Sequence, residues 1–210
     1  MLYIVYPLLC LLHLVVVNFW PEVFLLRLGS KVLPILLLLW DFSRDRRWQT
    51  KGSGIWIGFG LIFSFFGDAI LTFPAEYFVF GLGSFLIAQL SYSWGFSRGN
   101  PVQIVRLIPF VVGGGGFYYW LLPGIPIVMS LPVLLYVAAI CTMGWRASSR
   151  ECEKLDFWLG ISGAVIFIFS DMLIALSHFT AIRFPAHGSW IMGTYYLAQF
   201  LIFVSTEEES

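Results

Sequence analysis

Charge is what this sequence has least of. Only 11% of its 210 residues are Asp, Glu, Lys or Arg. An average soluble domain has about 25%, so there is too little polar surface here to coat a water-soluble particle. Twelve basic and twelve acidic residues cancel, and no basic footprint for nucleic acid remains. Cysteine is also sparse. Cys10, Cys141 and Cys152 show no CxxC or Cys/His spacing, which argues against a disulfide framework and a zinc site. There is no HxxxH or HExxH, so a metal hydrolase is not expected. No serine sits in a GxSxG elbow. Neither a metal nor a cofactor is expected.

What is abundant is hydrocarbon: 59% of residues are hydrophobic and 19% aromatic. A bilayer-spanning helix needs about 20 apolar residues, and the chain reads as a single polytopic membrane domain over 1–210, all-α, with eight transmembrane helices. The spans fall at about 2–20, 31–43, 55–73, 78–97, 104–121, 125–146, 158–178 and 189–205. The stretch from Leu2 to Trp20 lacks a basic start and a small-residue cleavage site, so it reads as the first span rather than a signal peptide. The second span is short, and Lys31 at its start can snorkel to the interface. Nine basic residues fall on one side: Arg44, Arg46, Arg47 and Lys51, then Arg98 and Arg106, then Arg146, Arg150 and Lys154. Arg27, Lys31 and Arg183 fall on the other. The positive-inside rule then puts both termini in the cytoplasm. The short, compact chain favours a bacterial inner membrane, or the endoplasmic reticulum in a eukaryote.

Two stretches look like versions of each other. Phe65-Phe66-Gly67-Asp68 and Ile168-Phe169-Ser170-Asp171 each set an aspartate inside an apolar run, after a small residue. A carboxylate in hydrocarbon is expensive and is a functional candidate by default. Asp68 is 13 residues past Ile55 and Asp171 is 13 past Trp158, so the two lie at matched depth on helices of the same direction. The spans that follow echo each other too, with Gln89 in Phe85-Leu-Ile-Ala-Gln89 and Gln199 in Tyr195-Tyr196-Leu-Ala-Gln199. The pattern predicts a parallel repeat of four helices plus four, with spans three and seven as neighbours. Two carboxylates facing each other in a dry site cannot both ionise cheaply. One protonated and one charged carboxyl make a general acid beside a base.

Other candidates cluster near the pair. Gln89 and Gln199 can orient a carboxylate or water. Tyr92, one turn after Gln89, and Tyr195 and Tyr196 can donate to a carboxylate or substrate oxygen, as can Tyr136 in span six. Lys31 can neutralise a lipid phosphate or one of the aspartates. His178 and His187 flank the last external loop. Gly113 to Gly116 lie within span five, where they permit close helix approach or a local break; with no preceding strand they form no phosphate loop.

These features resemble the YhhN-like lysoplasmalogenase family of membrane proteins. The resemblance runs from Lys31-Val-Leu-Pro34 through Gly67-Asp68 with Phe73-Pro74, the Phe85 to Tyr92 helix, Trp145-Arg146, Ser170-Asp171 and Tyr195-Tyr196-Leu-Ala-Gln199. It departs at Gln89, where the family commonly has His. Gln can hydrogen-bond but cannot take up a proton near neutral pH. The resemblance implies a hydrolase that cleaves the vinyl-ether bond of a lysoplasmalogen, a lysophospholipid, to a fatty aldehyde and glycerophosphocholine or glycerophosphoethanolamine. It implies Asp68 and Asp171 as the catalytic pair. The residues alone also permit a proton-coupled transporter built on the same aspartates. An intramembrane aspartyl protease fits less well, because the YD and GxGD pair is missing.

Overall fold

A computed structural model describes residues 1–44, 54–183 and 185–206. Arg46, Arg47 and Lys51 of the basic loop lie outside the described residues. Among the described residues the chain is all-α, with eight helices: α1 (Leu2–Phe19), α2 (Phe24–Arg44), α3 (Gly54–Ile70), α4 (Phe78–Ser97), α5 (Ile108–Leu121), α6 (Ile127–Ser148), α7 (Lys154–Phe179) and α8 (His187–Val204). Short 3₁₀ turns lead into α4 and α5 and follow α5.

Four segments are long and apolar enough to cross a membrane by length and composition: Leu2–Phe19, Ile104–Gly124, Ile127–Ser148 and Lys154–Phe179. Helix α3 is apolar but shorter. Helices α4 and α8 turn polar side chains inward. Ser84, Gln89, Tyr92 and Ser93 of α4, and Tyr195, Tyr196 and Gln199 of α8, are all buried. The outer surface is correspondingly apolar, with Leu25, Val105, Ile127 and Val128 each at least three-quarters exposed. A surface of this kind fits a multi-pass membrane protein, since water-soluble monomers rarely expose large apolar patches.

Helix α2 is not the short span expected from its sequence. It begins at Phe24 and runs 21 residues. The sequence places Arg27 beyond its outer end and Lys31 at it, yet both are satisfied within the fold. Arg27 Nη2 donates to the Thr72 carbonyl at 2.9 Å, and Lys31 pairs with an aspartate.

The tightest helix pairs are α3 with α4 and α7 with α8; α4 also packs along α6. Glycines set the first approach. A Cβ at Gly60 would lie 2.1 Å from the Tyr92 ring, and one at Gly67 would lie 2.6 Å from the Phe85 ring. Helices α3 and α7 do not pack on each other as substantial neighbours, contrary to the expectation from matched depth. Depth and direction fix a residue's height in the bundle but not its bearing around it.

Candidate active site

Asp68 lies near the end of α3 and is 2% exposed. Lys31 Nζ sits 3.7 Å from its Oδ1, and the Tyr195 hydroxyl donates to its Oδ2 at 2.7 Å. Pro34 lies inside α2 and has no N–H to offer the carbonyl four residues back. The adjacent Lys31 carbonyl accepts the Tyr196 hydroxyl at 2.9 Å. Tyr196 is in turn held through its own carbonyl, which accepts the Tyr6 hydroxyl at 2.8 Å.

Asp171, about two-thirds of the way along α7, has a different partner. The Tyr136 hydroxyl of α6 donates to its Oδ2, and no cation pairs with it among the described residues. One aspartate therefore faces an ammonium and a phenol, the other a phenol.

Both carboxylates line one cavity of about 240 Å³, together with Lys31, Tyr195, Phe85 and His178. The sequence predicts one cavity for both carboxylates, and it forms without substantial α3–α7 packing. At its rim the His178 ring stacks on Phe78, with centroids 3.8 Å apart and planes 9° from parallel. A second, apolar cavity of about 310 Å³ adjoins it between α4, α5, α6 and α7. The two share Leu71, Phe78, Phe85, Asp171 and Ile174 in their walls. Tyr136 lines the apolar one.

The remaining candidates stand behind this wall. Gln199 is a hub. Its Nε2 donates to Ser64 Oγ at 2.8 Å and to the Tyr195 hydroxyl at 3.2 Å, and its Oε1 accepts the Tyr92 hydroxyl at 2.6 Å. Ser64 and Tyr92 close the ring at 3.2 Å. The network orients Tyr195, and the rings of Phe85 and Phe167 pack edge-on against it with centroids 5.7 and 5.5 Å away. Gln89 behaves differently. It is fully buried beside Tyr136, but neither amide atom makes a hydrogen bond of ordinary geometry. Gln89, Tyr92, Tyr196 and Gln199 line neither cavity.

Sequence reasoning overlooked Tyr6 and gave Ser64 no part in the site. Ser64 lies one turn before Asp68 on α3, a spacing that puts both on one face and was readable. Tyr6 gave no such signal, because a tyrosine near the end of an apolar helix ordinarily marks the membrane interface.

The chain matches the model of the YhhN family over residues 26–206. Lysoplasmalogenase TMEM86A of Bos taurus is 34% identical over 165 residues, 76% of this chain and 68% of that protein. Lysoplasmalogenase TMEM86B of Rattus norvegicus is 34% identical over 175 residues, 83% of this chain and 69% of that protein. A lysoplasmalogenase of Mycobacterium bovis is 29% identical over 149 residues, 65% of this chain and 52% of that protein. No solved structure matches. The match extends over all the cavity-lining aspartates, lysine and tyrosines just described, and the chain belongs to the YhhN family.

Proposed function

We propose that this chain is a lysoplasmalogenase, an integral-membrane hydrolase that cleaves the vinyl-ether bond of a lysoplasmalogen. The relatives' names supply the reaction class. The observation that carries the mechanism is the cavity walled by two carboxyl groups with unlike partners.

A vinyl ether is cleaved by protonation of its outer alkene carbon, which leaves an oxocarbenium ion. The slow step needs an acid near the alkene and a negative charge near the cation, the same logic glycosidases use. In this reading Asp171, with only a phenol beside it, is the protonated acid. Asp68, beside the Lys31 ammonium, is the charged group that faces the cation. Asp171 gives its proton to carbon. Water adds to the oxocarbenium carbon as Asp68 takes the water's proton, forming a hemiacetal. Asp68 returns that proton to the glycerol oxygen as the carbon–oxygen bond breaks, and the hemiacetal hydroxyl reprotonates Asp171. The products are a fatty aldehyde and a glycerophosphodiester, and both carboxyls return to their starting state. Tyr136 and Tyr195 hold the two groups in place. Gln199, Tyr92 and Ser64 hold Tyr195; Tyr196 holds the Lys31 turn; Gln89 packs beside Tyr136.

The alkenyl chain lies in the apolar cavity, and the headgroup lies toward His178. Eight spans with both termini cytoplasmic, in two units of four helices, accommodate this site. Three correspondences support the repeat. The second helix of each unit supplies the partner of that unit's aspartate, Lys31 for Asp68 and Tyr136 for Asp171. Gly60 and Gly163 each lie eight residues before an aspartate. Each meets the residue three after a glutamine, Tyr92 in one unit and Ile202 in the other.

The test is aldehyde release by the purified, reconstituted protein. A lysoplasmalogen should yield free aldehyde, and its saturated-ether analogue, which cannot form the oxocarbenium ion by protonation, should not. A folded protein that releases no aldehyde from the vinyl ether would remove this reading.

A further inference from the structure

The glycine run of α5 takes no part in the chemistry above, yet two of its members reach the apolar cavity. Phe110, Gly113, Gly114, Phe117 and Leu121 all line the apolar cavity. Their spacing puts them on one helical face. Gly115 and Gly116 are absent from that lining. The two lining glycines differ from each other. A Cβ at Gly114 would lie 2.3 Å from Cys141 Sγ, so Gly114 lets α5 close onto α6. A Cβ at Gly113 would meet nothing within 4 Å. Close packing gives no reason for glycine at 113, but its bareness leaves room in the cavity wall.

We propose that Gly113 is a specificity-determining residue, whose missing side chain makes the space for the hydrocarbon chain of the lipid substrate. The occupant follows from the continuity of the two cavities. Asp171 is in the wall of both, so a single-chain lipid with its ether bond at the carboxyl pair has this apolar space as its nearest shelter. At about 310 Å³ the space is at the small end of ligand pockets, which run from about 300 to 1,000 Å³. One added side chain is therefore a large fraction of it. The proposal rests on the lysoplasmalogenase reading for the identity of the lipid, but its test does not need turnover.

The probes are saturated-ether lysophospholipids of one headgroup and increasing chain length, titrated onto the reconstituted protein with binding read as thermal stabilisation. They lack the vinyl group, so they bind without being cleaved. A Cβ at position 113 meets nothing within 4 Å, so the series is Gly113→Ala, Gly113→Val and Gly113→Leu, each checked for a wild-type unfolding midpoint without ligand. Affinity for long-chain probes should fall step by step through this series, by about tenfold or more at Leu, since even one methylene in an apolar pocket is worth at least about that factor. Affinity for the shortest probes should hold. Gly115→Leu, off the cavity face, should match wild type for every probe. An unchanged chain-length profile in Gly113→Leu overturns the proposal, as does an equal change in Gly115→Leu or a wild-type protein that binds no member of the series. If Gly113 governs binding while wild type releases no aldehyde from any lysoplasmalogen, the chain-binding role stands and the proposed chemistry falls.

Discussion

Replacing Lys31 by Met tests how the cavity holds its charge. The substitution keeps an unbranched apolar stem and removes the ammonium. In the wild type Nζ and Asp68 Oδ1 are 3.7 Å apart, and the two side chains are 12% and 3% exposed. At an effective dielectric near 20, unit charges at that distance attract by about 4 kcal/mol. Deleting one partner of a buried pair costs about 3–5 kcal/mol, because the other charge is left alone in a medium that solvates it poorly. Lys31→Met should therefore lose stability on that scale. Adding Asp68→Asn removes the stranded charge, and the amide oxygen can still accept the Tyr195 hydroxyl. The double variant should recover most of the loss, with a coupling energy of at least about 2 kcal/mol. Turnover should not return, since the carboxylate proposed to face the oxocarbenium ion is gone. The measurement is unfolding in mixed micelles for wild type, both single variants and the double, with aldehyde release on the same samples. A Lys31→Met loss below about 1 kcal/mol, or a double variant as unstable as the sum of the singles, would refute a charged pair at this site.

Further outcomes follow from the same geometry. Asp68→Asn and Asp171→Asn should each cut aldehyde release by at least about a hundredfold while the protein stays folded, and the double variant should lose little more than either single; a single variant keeping a tenth of wild-type turnover would remove that residue from the mechanism. Gly60→Ala should destabilise by about 1–3 kcal/mol or more, because its Cβ would press on the Tyr92 ring 2.1 Å away; an unchanged unfolding midpoint would show that the α3–α4 contact can yield. Gln89→His should fold and turn over, since the Gln89 amide has no hydrogen bond of ordinary geometry to lose; a loss beyond about a hundredfold would mean the site is tuned to an amide. An engineered cysteine in the C-terminal tail should resist impermeant reagents applied outside intact cells, and rapid labelling would reverse the proposed orientation.

The aspartates were legible because carboxylates inside apolar runs are conspicuous and their contexts repeat. Helix α4 was legible to the residue, 78–97, because Pro74 and the Gly99 to Pro101 segment punctuate both ends. The start of α2 was not, because a hydropathy window counts Arg27 and Lys31 as exterior wherever their heads point. The similar sequence settings of Gln89 and Gln199 gave no sign of their difference. Gln199 joins three hydrogen bonds and Gln89 none of ordinary geometry. That contrast arises from which residue of a facing helix comes opposite, and chain order does not encode it. The placement of α4 and α8 beside the two aspartate helices, with α3 and α7 apart, was hidden for the same reason.

The unlike partners of the two aspartates have an electrical consequence. On the proposed assignment Lys31 and Asp68 cancel and Asp171 is neutral, so the centre of the bundle has no net charge. A transmembrane voltage does work of about 2.3 kcal/mol per elementary charge per 100 mV, and here it finds almost no charge to move. In the proposed cycle the same protons begin and end on the same groups, so no ion crosses the bilayer during a turnover. Catalysis of this kind should run at the same rate in an energised vesicle and in one whose gradients have been collapsed.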